Sequence, residues 1–157
     1  MTSPYQLSSS TVLAATPEAA FQTLVDAPLE ELFPTRSGLI PSIKECEGQD
    51  GAWGNLGQTR TVVLADGSRN LETLVVVEPP HDYRYVLSDF TGPMRMLVRK
   101  VEGRFAFEPA GDGTRVTWSW ILHPTHPLAR LAFPVLGASW RTMATNMWPR
   151  FSARVAT

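Results

Sequence analysis

Few side chains in this sequence are spaced for conventional chemistry. His123 and His126 stand three apart in "HPTHP", a spacing that could hold a metal. Each precedes a proline, which favours extended backbone and separates the rings. No cysteine or carboxylate cluster accompanies them, so no metal is expected. Imidazole is the usual acid or base near neutral pH, yet strand parity places His123 opposite Trp118 and Trp120. His81 follows Pro79-Pro80 in a turn and should be solvated. Ser139 in "LGASWR" lacks the closing glycine of a nucleophile elbow. Gly51, Gly54 and Gly57 match neither phosphate-binding glycine pattern. Cys46, the sole cysteine, has no visible activating partner and reads as a small core residue. What remains is a phenol, Tyr85, able to donate to a ligand oxygen, an acid at Glu72, and the indole pair of "RVTWSWILHP". Asp89, near a strand end, is expected in solvent.

The elements that position these groups are mostly strands. Tyr5 to Ala15 reads as a first strand. A helix follows, with Thr16 as N-cap, Pro17 at its first position, and Ala20, Phe21, Leu24 and Val25 at helical spacing. Pro28 ends it, and "LEELF" adds a short helical turn. Further strands are predicted over Ile40–Gly48, Gln58–Ala65, Ser68–Glu78, Asp82–Thr91, Met96–Glu108 and Thr114–His123. After Pro127 the period becomes helical, with Trp140, Met143, Ala144, Met147, Phe151 and Val155 on one stripe. Pro134 and Gly137 should kink or break its early part, and Pro149 should bend its end. Antiparallel strands with helices on one face make an α+β domain, here one domain over residues 1–157.

Register decides which groups meet. Taken as a two-residue turn, Asp66-Gly67 pairs Leu64 with Arg69, Val62 with Leu71 and Arg60 with Thr73. Arg60, Val62 and Leu64 then share a face, but both faces are largely apolar, and the pattern leaves open which is inner. A bulge would reshuffle the pairing, and under the other register Glu72 becomes the buried acid. Tyr83, Tyr85, Leu87 and Asp89 share one face of their strand. Trp118 and Trp120 share theirs with Val116 and Leu122.

The totals exclude several classes. Of 157 residues 43% are apolar, enough for a sizeable core. Fourteen basic against fifteen acidic residues give a net charge of -1 with no basic run, which argues against nucleic acid. One cysteine excludes a disulfide scaffold. No signal peptide is visible, and Leu131 to Ala138 is too short to span a bilayer, so a cytoplasmic protein without stable membrane insertion is expected.

Local motifs carry a resemblance. "PEAAFQTLVDAP", "GNLGQTRTVVLADG", "VEPPHDYRYVL" and "GTRVTWSW" resemble the first helix, glycine loop with hairpin, Pro-Pro turn and strand of the START-like, or SRPBCC, superfamily of polyketide cyclases, dehydrases and lipid-transport proteins. The resemblance implies a helix-grip fold: a seven-stranded curved antiparallel sheet wrapped around a long C-terminal helix, with two short helices after the first strand. It further implies a cavity between sheet and helix for a small hydrophobic molecule. A monomer or homodimer without cofactor is expected. Expected contacts are Arg60, Val62, Tyr83, Tyr85, Phe105, Phe107, Trp118, Trp120, Trp140, Met143, Met147 and Phe151. The resemblance also implies an alternative, aldol cyclisation or dehydration, with Arg60 holding a carbonyl or enolate and Tyr85 assisting. Trp53, in the glycine loop, is either a lid on the cavity or part of a plain surface loop.

Overall fold

The computed structural model describes residues 4–156. Strand β1 (Tyr5–Leu13) is followed by α1 (Pro17–Asp26) and the single turn α2 (Leu29–Leu32). Six strands come next: β2 (Ile43–Glu47), β3 (Thr59–Leu64), β4 (Arg69–Glu78), β5 (Asp82–Ser88), β6 (Val98–Ala110) and β7 (Gly113–Pro124). α3 (Phe133–Val155) closes the chain. The seven strands form one curved antiparallel sheet in the order β1-β7-β6-β5-β4-β3-β2, and its concave face holds α3. This is the helix-grip arrangement. Among the described residues no helix is long and apolar enough to cross a membrane.

Local chemistry accounts for the element ends. Thr16 Oγ1 accepts from the Ala19 N–H at 3.2 Å, and Ala20, Phe21, Leu24 and Val25 are the buried face of α1, as the spacing predicts. The long final helix departs from expectation. Pro127–Ala132 is a 3-10 segment, and α3 then runs unbroken through Pro134 and Gly137. Pro134 sits in the first turn, where its missing N–H costs nothing. Gly137 faces Leu7, whose Cδ2 would lie 3.0 Å from an added Cβ, so the residue gives α3 close approach to β1.

The β3–β4 hairpin also differs from the two-residue turn. The Gly67 N–H donates to Leu64 C=O at 3.0 Å, and the Leu64 N–H to Ser68 C=O at 2.9 Å. Gly67 is left-handed, at φ 86°, so the loop absorbs one more residue than expected. The register therefore moves by one: Val63 pairs with Arg69, Val62 with Asn70, and Arg60 with Glu72 rather than Thr73. Arg60, Val62, Leu64, Asn70, Glu72 and Leu74 become the buried face. The strand predicted over Asp82–Thr91 stops at Ser88, because Asp89 turns left-handed (φ 53°) into a second 3-10 segment, Gly92–Met96. Asp89 is exposed, as expected.

Candidate functional site

A cavity of about 110 Å³ lies between the concave face of the sheet and the helices. Phe105, Trp118 and Trp120 form its wall, Met143 of α3 faces them, and Leu32 and Phe33 close the side under α2. Ile40, Pro41, Phe90 and Met94 also line the cavity, which opens to solvent through a mouth. The wall is rigid because its rings support one another: Phe105 stacks on Trp118 with centroids 5.4 Å apart and planes 6° apart, and Trp118 meets Trp140 at 4.8 Å.

Tyr85 organises the floor. It sits on β5 opposite Gly103 of β6, which in turn sits opposite Trp120 of β7. With no side chain at Gly103, the phenol lies across β6 and reaches the next strand. An added Cβ there would stand 2.0 Å from Tyr85 Cζ. The Tyr85 hydroxyl accepts from Trp118 Nε1 and Trp120 Nε1, each at 2.9 Å. Both indoles are thus satisfied by one oxygen, whose own proton remains to be donated. Burial pushes the Tyr85 phenol well above its ordinary range, with the Trp120 hydrogen bond opposing, so it is a neutral donor. Tyr83 is pushed up likewise, burial being the main cause and the Glu72 charge the next.

Beside the phenols lies a buried ion pair. Arg60 Nε donates to Glu72 Oε1 at 2.8 Å, and both side chains are almost wholly enclosed, at 6% and 5% exposure. Burial alone would lower the guanidinium's pKa, but the charge and hydrogen bond of Glu72 outweigh it and the net shift is upward. Arg60 Cζ lies 3.8 Å from the centre of the Trp53 ring, and Trp53 Nε1 donates to Tyr83 Oη at 2.9 Å. Trp53 is buried rather than part of a plain surface loop. Gln58 explains this: its Nε2 donates to the carbonyls of Asp50 and Ala52, and its Oε1 accepts from the Gly54 and Asn55 N–H groups, all within 2.9–3.1 Å. One amide therefore holds the glycine loop over the ion pair.

Asn70, two residues from Glu72 on the same face of β4, joins the polar lining, together with Ser68, Arg69 and Thr91. It is buried, and its Oδ1 has no hydrogen-bond partner.

The sequence profile of the family described as "Polyketide cyclase / dehydrase and lipid transport" matches residues 5–155, nearly the whole chain. The chain belongs to this family. Solved structures share the fold of this family member at low identity. A protein from Thermus thermophilus is 20% identical with a TM-score of 0.67, covering 97% of this chain and 97% of its own. A Nitrosospira multiformis protein is 18% identical with a TM-score of 0.68, covering 98% and 100%. Ginseng major latex-like protein 151 from Panax ginseng is 16% identical with a TM-score of 0.59, covering 93% and 99%. No curated protein matches the chain in sequence.

Within this polyketide cyclase/dehydrase and lipid-transport fold the expected residues divide. Arg60, Val62, Tyr83, Tyr85, Phe105, Trp118, Trp120 and Met143 are brought together on the cavity lining. Phe107, Trp140, Met147 and Phe151 lie outside it. Phe107 packs on Phe21 at 5.2 Å, and the other three are essentially without exposure in the core of α3. The helical stripe identified the buried face of α3 correctly, but most of that face meets side chains rather than space. His123 lies on the other face of β7, with Nε2 2.6 Å from Glu102 Oε2, and His126 caps the 3-10 segment by accepting from the Leu128 N–H. Cys46, half-buried opposite Val62, has its thiol pushed up to about 11 by burial. Among the described residues no group of three or more His, Cys, Asp and Glu side chains could hold a metal. Asn70, Gly103 and Gln58 were missed. The β4 register would have exposed Asn70, while nothing in the sequence singles out Gly103 or Gln58.

Proposed function

We propose that the chain binds a small, neutral, mainly apolar molecule in this cavity, with a ligand oxygen against Arg60 and the Tyr85 O–H. One observation carries the reading: an aromatic wall faces a buried Arg60–Glu72 pair across a cavity that opens to solvent. Size supports a small guest. Pockets for drug-sized ligands run to roughly 300–1,000 Å³, whereas this one measures about 110 Å³. That suits about one ring, given that a ~150 Å³ engineered apolar cavity takes benzene; longer chains would have to leave through the mouth. Charge supports neutrality, because Glu72 already compensates Arg60, and a ligand carboxylate would compete with it inside a low-dielectric site.

Native mass spectrometry of freshly purified protein tests this. The expected result is a co-purifying compound of single-ring size, or uptake of one from a panel, accompanied by a change in tryptophan emission from the wall. Protein that carries nothing and takes up nothing from the panel would refute the reading.

A second reading is aldol cyclisation or dehydration. It draws on the convergence of Arg60, Glu72, Tyr83 and Tyr85 on one space. Arg60 and the Tyr85 O–H would stabilise a developing enolate oxygen while Glu72 takes the α-proton. Holding a poly-carbonyl chain folded supplies most of the acceleration such a reaction needs. Turnover of poly-carbonyl thioesters, lost in Glu72→Gln, distinguishes it from binding alone.

A further inference from the structure

The lining contains one polar atom that the protein itself leaves without a partner. Asn70 Oδ1 is buried and accepts no hydrogen bond among the described residues. Folded proteins leave few such groups standing, because the solvation lost on burial is not returned. The surroundings ask for an apolar residue here. Val62 is the cross-strand partner, and Leu64 and Leu87 line the same part of the cavity. A leucine of similar shape would fill the position without the penalty. Neighbouring polar side chains are directed elsewhere: Arg60 points Nε at Glu72, Ser68 its hydroxyl at Asp66, and Arg69 a guanidinium N–H at Glu47, and none of them reaches Asn70 Oδ1.

Position along the strand adds a second constraint. Asn70 and Glu72 are two residues apart on β4, hence separated by about 7 Å of backbone. The Asn70 acceptor and the Arg60–Glu72 pair therefore stand about as far apart as the two sides of a single substituted ring. The cavity between them has room for about one such ring.

We propose that Asn70 is a specificity-determining residue that accepts a hydrogen bond from a hydroxyl or enol of a neutral single-ring ligand, whose second oxygen lies against Arg60. The ligand class is thereby a hydroxylated aromatic ring or the enol form of a cyclic dicarbonyl. This rests on the cavity being a ligand site. It goes further in requiring a donor on the ligand, which an apolar wall does not.

Three probes isolate that donor: resorcinol, 3-methoxyphenol and 1,3-dimethoxybenzene, measured by calorimetry on the full chain. The wild type should bind resorcinol and 3-methoxyphenol alike, and 1,3-dimethoxybenzene about tenfold more weakly, as expected for a lost hydrogen bond with its acceptor left dry. In Asn70→Leu the preference should shrink to within about twofold, while circular dichroism and thermal unfolding confirm the fold. Asn70→Val serves if the leucine variant does not fold. Equal binding of all three probes by the wild type overturns the inference and leaves the cavity reading intact, Asn70 then being served by water. A preference that survives in both variants overturns it too. If no probe binds, the inference fails; the underlying reading fails with it only if freshly purified protein also carries no small molecule.

Discussion

Replacing Tyr85 by phenylalanine removes one oxygen and leaves two buried indole N–H groups without an acceptor, since Trp118 Nε1 and Trp120 Nε1 both donate to that hydroxyl at 2.9 Å. The ring itself stays, so packing on Phe105 and the space over Gly103 are unchanged. Each orphaned donor costs about 1–3 kcal/mol, giving roughly 2–6 kcal/mol for the pair. A water admitted from the cavity to Trp120, the more exposed of the two indoles at 7% against 2%, brings the result toward the lower end. At about 3 kcal/mol, and about 2–4 °C per kcal/mol for a chain of this size, the midpoint should fall by roughly 6–12 °C. Urea unfolding followed by far-UV circular dichroism measures the loss without relying on the perturbed tryptophans. A companion Trp118→Phe should make the two changes sub-additive by about 1–2 kcal/mol, because the double variant has one orphaned donor fewer. A loss below 1 kcal/mol, or strict additivity, would show that this oxygen does not hold the wall together.

Three further outcomes follow from the same geometry. Gly103→Ala should destabilise by about 2–4 kcal/mol and shift tryptophan emission, since the new Cβ would stand 2.0 Å from a rigid ring; Gly111→Ala, with nothing within 4 Å of its Cβ, is the control and should show only the strain of its φ of 59°. Cys46, held at a pKa of about 11 by burial, should react with iodoacetamide at pH 8 about a hundredfold more slowly than a free thiol and accelerate about tenfold per pH unit up to pH 10; a rate matching free cysteine would contradict the burial. On the outer face, burial raises the Asp82 pKa, but hydrogen bonds from Arg84 and Arg104 outweigh it and the net shift is downward. Its stabilisation is therefore complete above the unfolded value of about 3.9 and lost as pH falls through the lower folded value. Asp82→Asn should cost about 1 kcal/mol at pH 7, the arginines being half exposed, and progressively less below about pH 4.

The fold was legible because its signals are local. Thr16 and Pro17 start α1, Pro28 follows its end, and the stripe from Trp140 to Phe151 marks the buried side of α3, each a statement about residues a few positions apart. The site was only partly legible, because it depends on one residue of loop length. With a two-residue turn at Asp66-Gly67, Arg60 would face Thr73 and an aliphatic strip. With Gly67 left-handed and the turn one residue longer, Arg60 faces Glu72, and Asn70 joins them on the concave side. A slip of one residue reverses every side chain on a strand, so the choice between an apolar pocket with a lone cation and a neutral polar cluster was made outside the cavity, in a surface turn. Gly103 shows the same logic across strands: its meaning lies in Tyr85 on one side and Trp120 on the other, residues 18 before and 17 after it. Such a position has no sequence signature, because what it provides is an absence of atoms, and only the assembled sheet shows which neighbour uses the space. The chemistry of this cavity is thus set by two glycines that contribute no polar side chain to it.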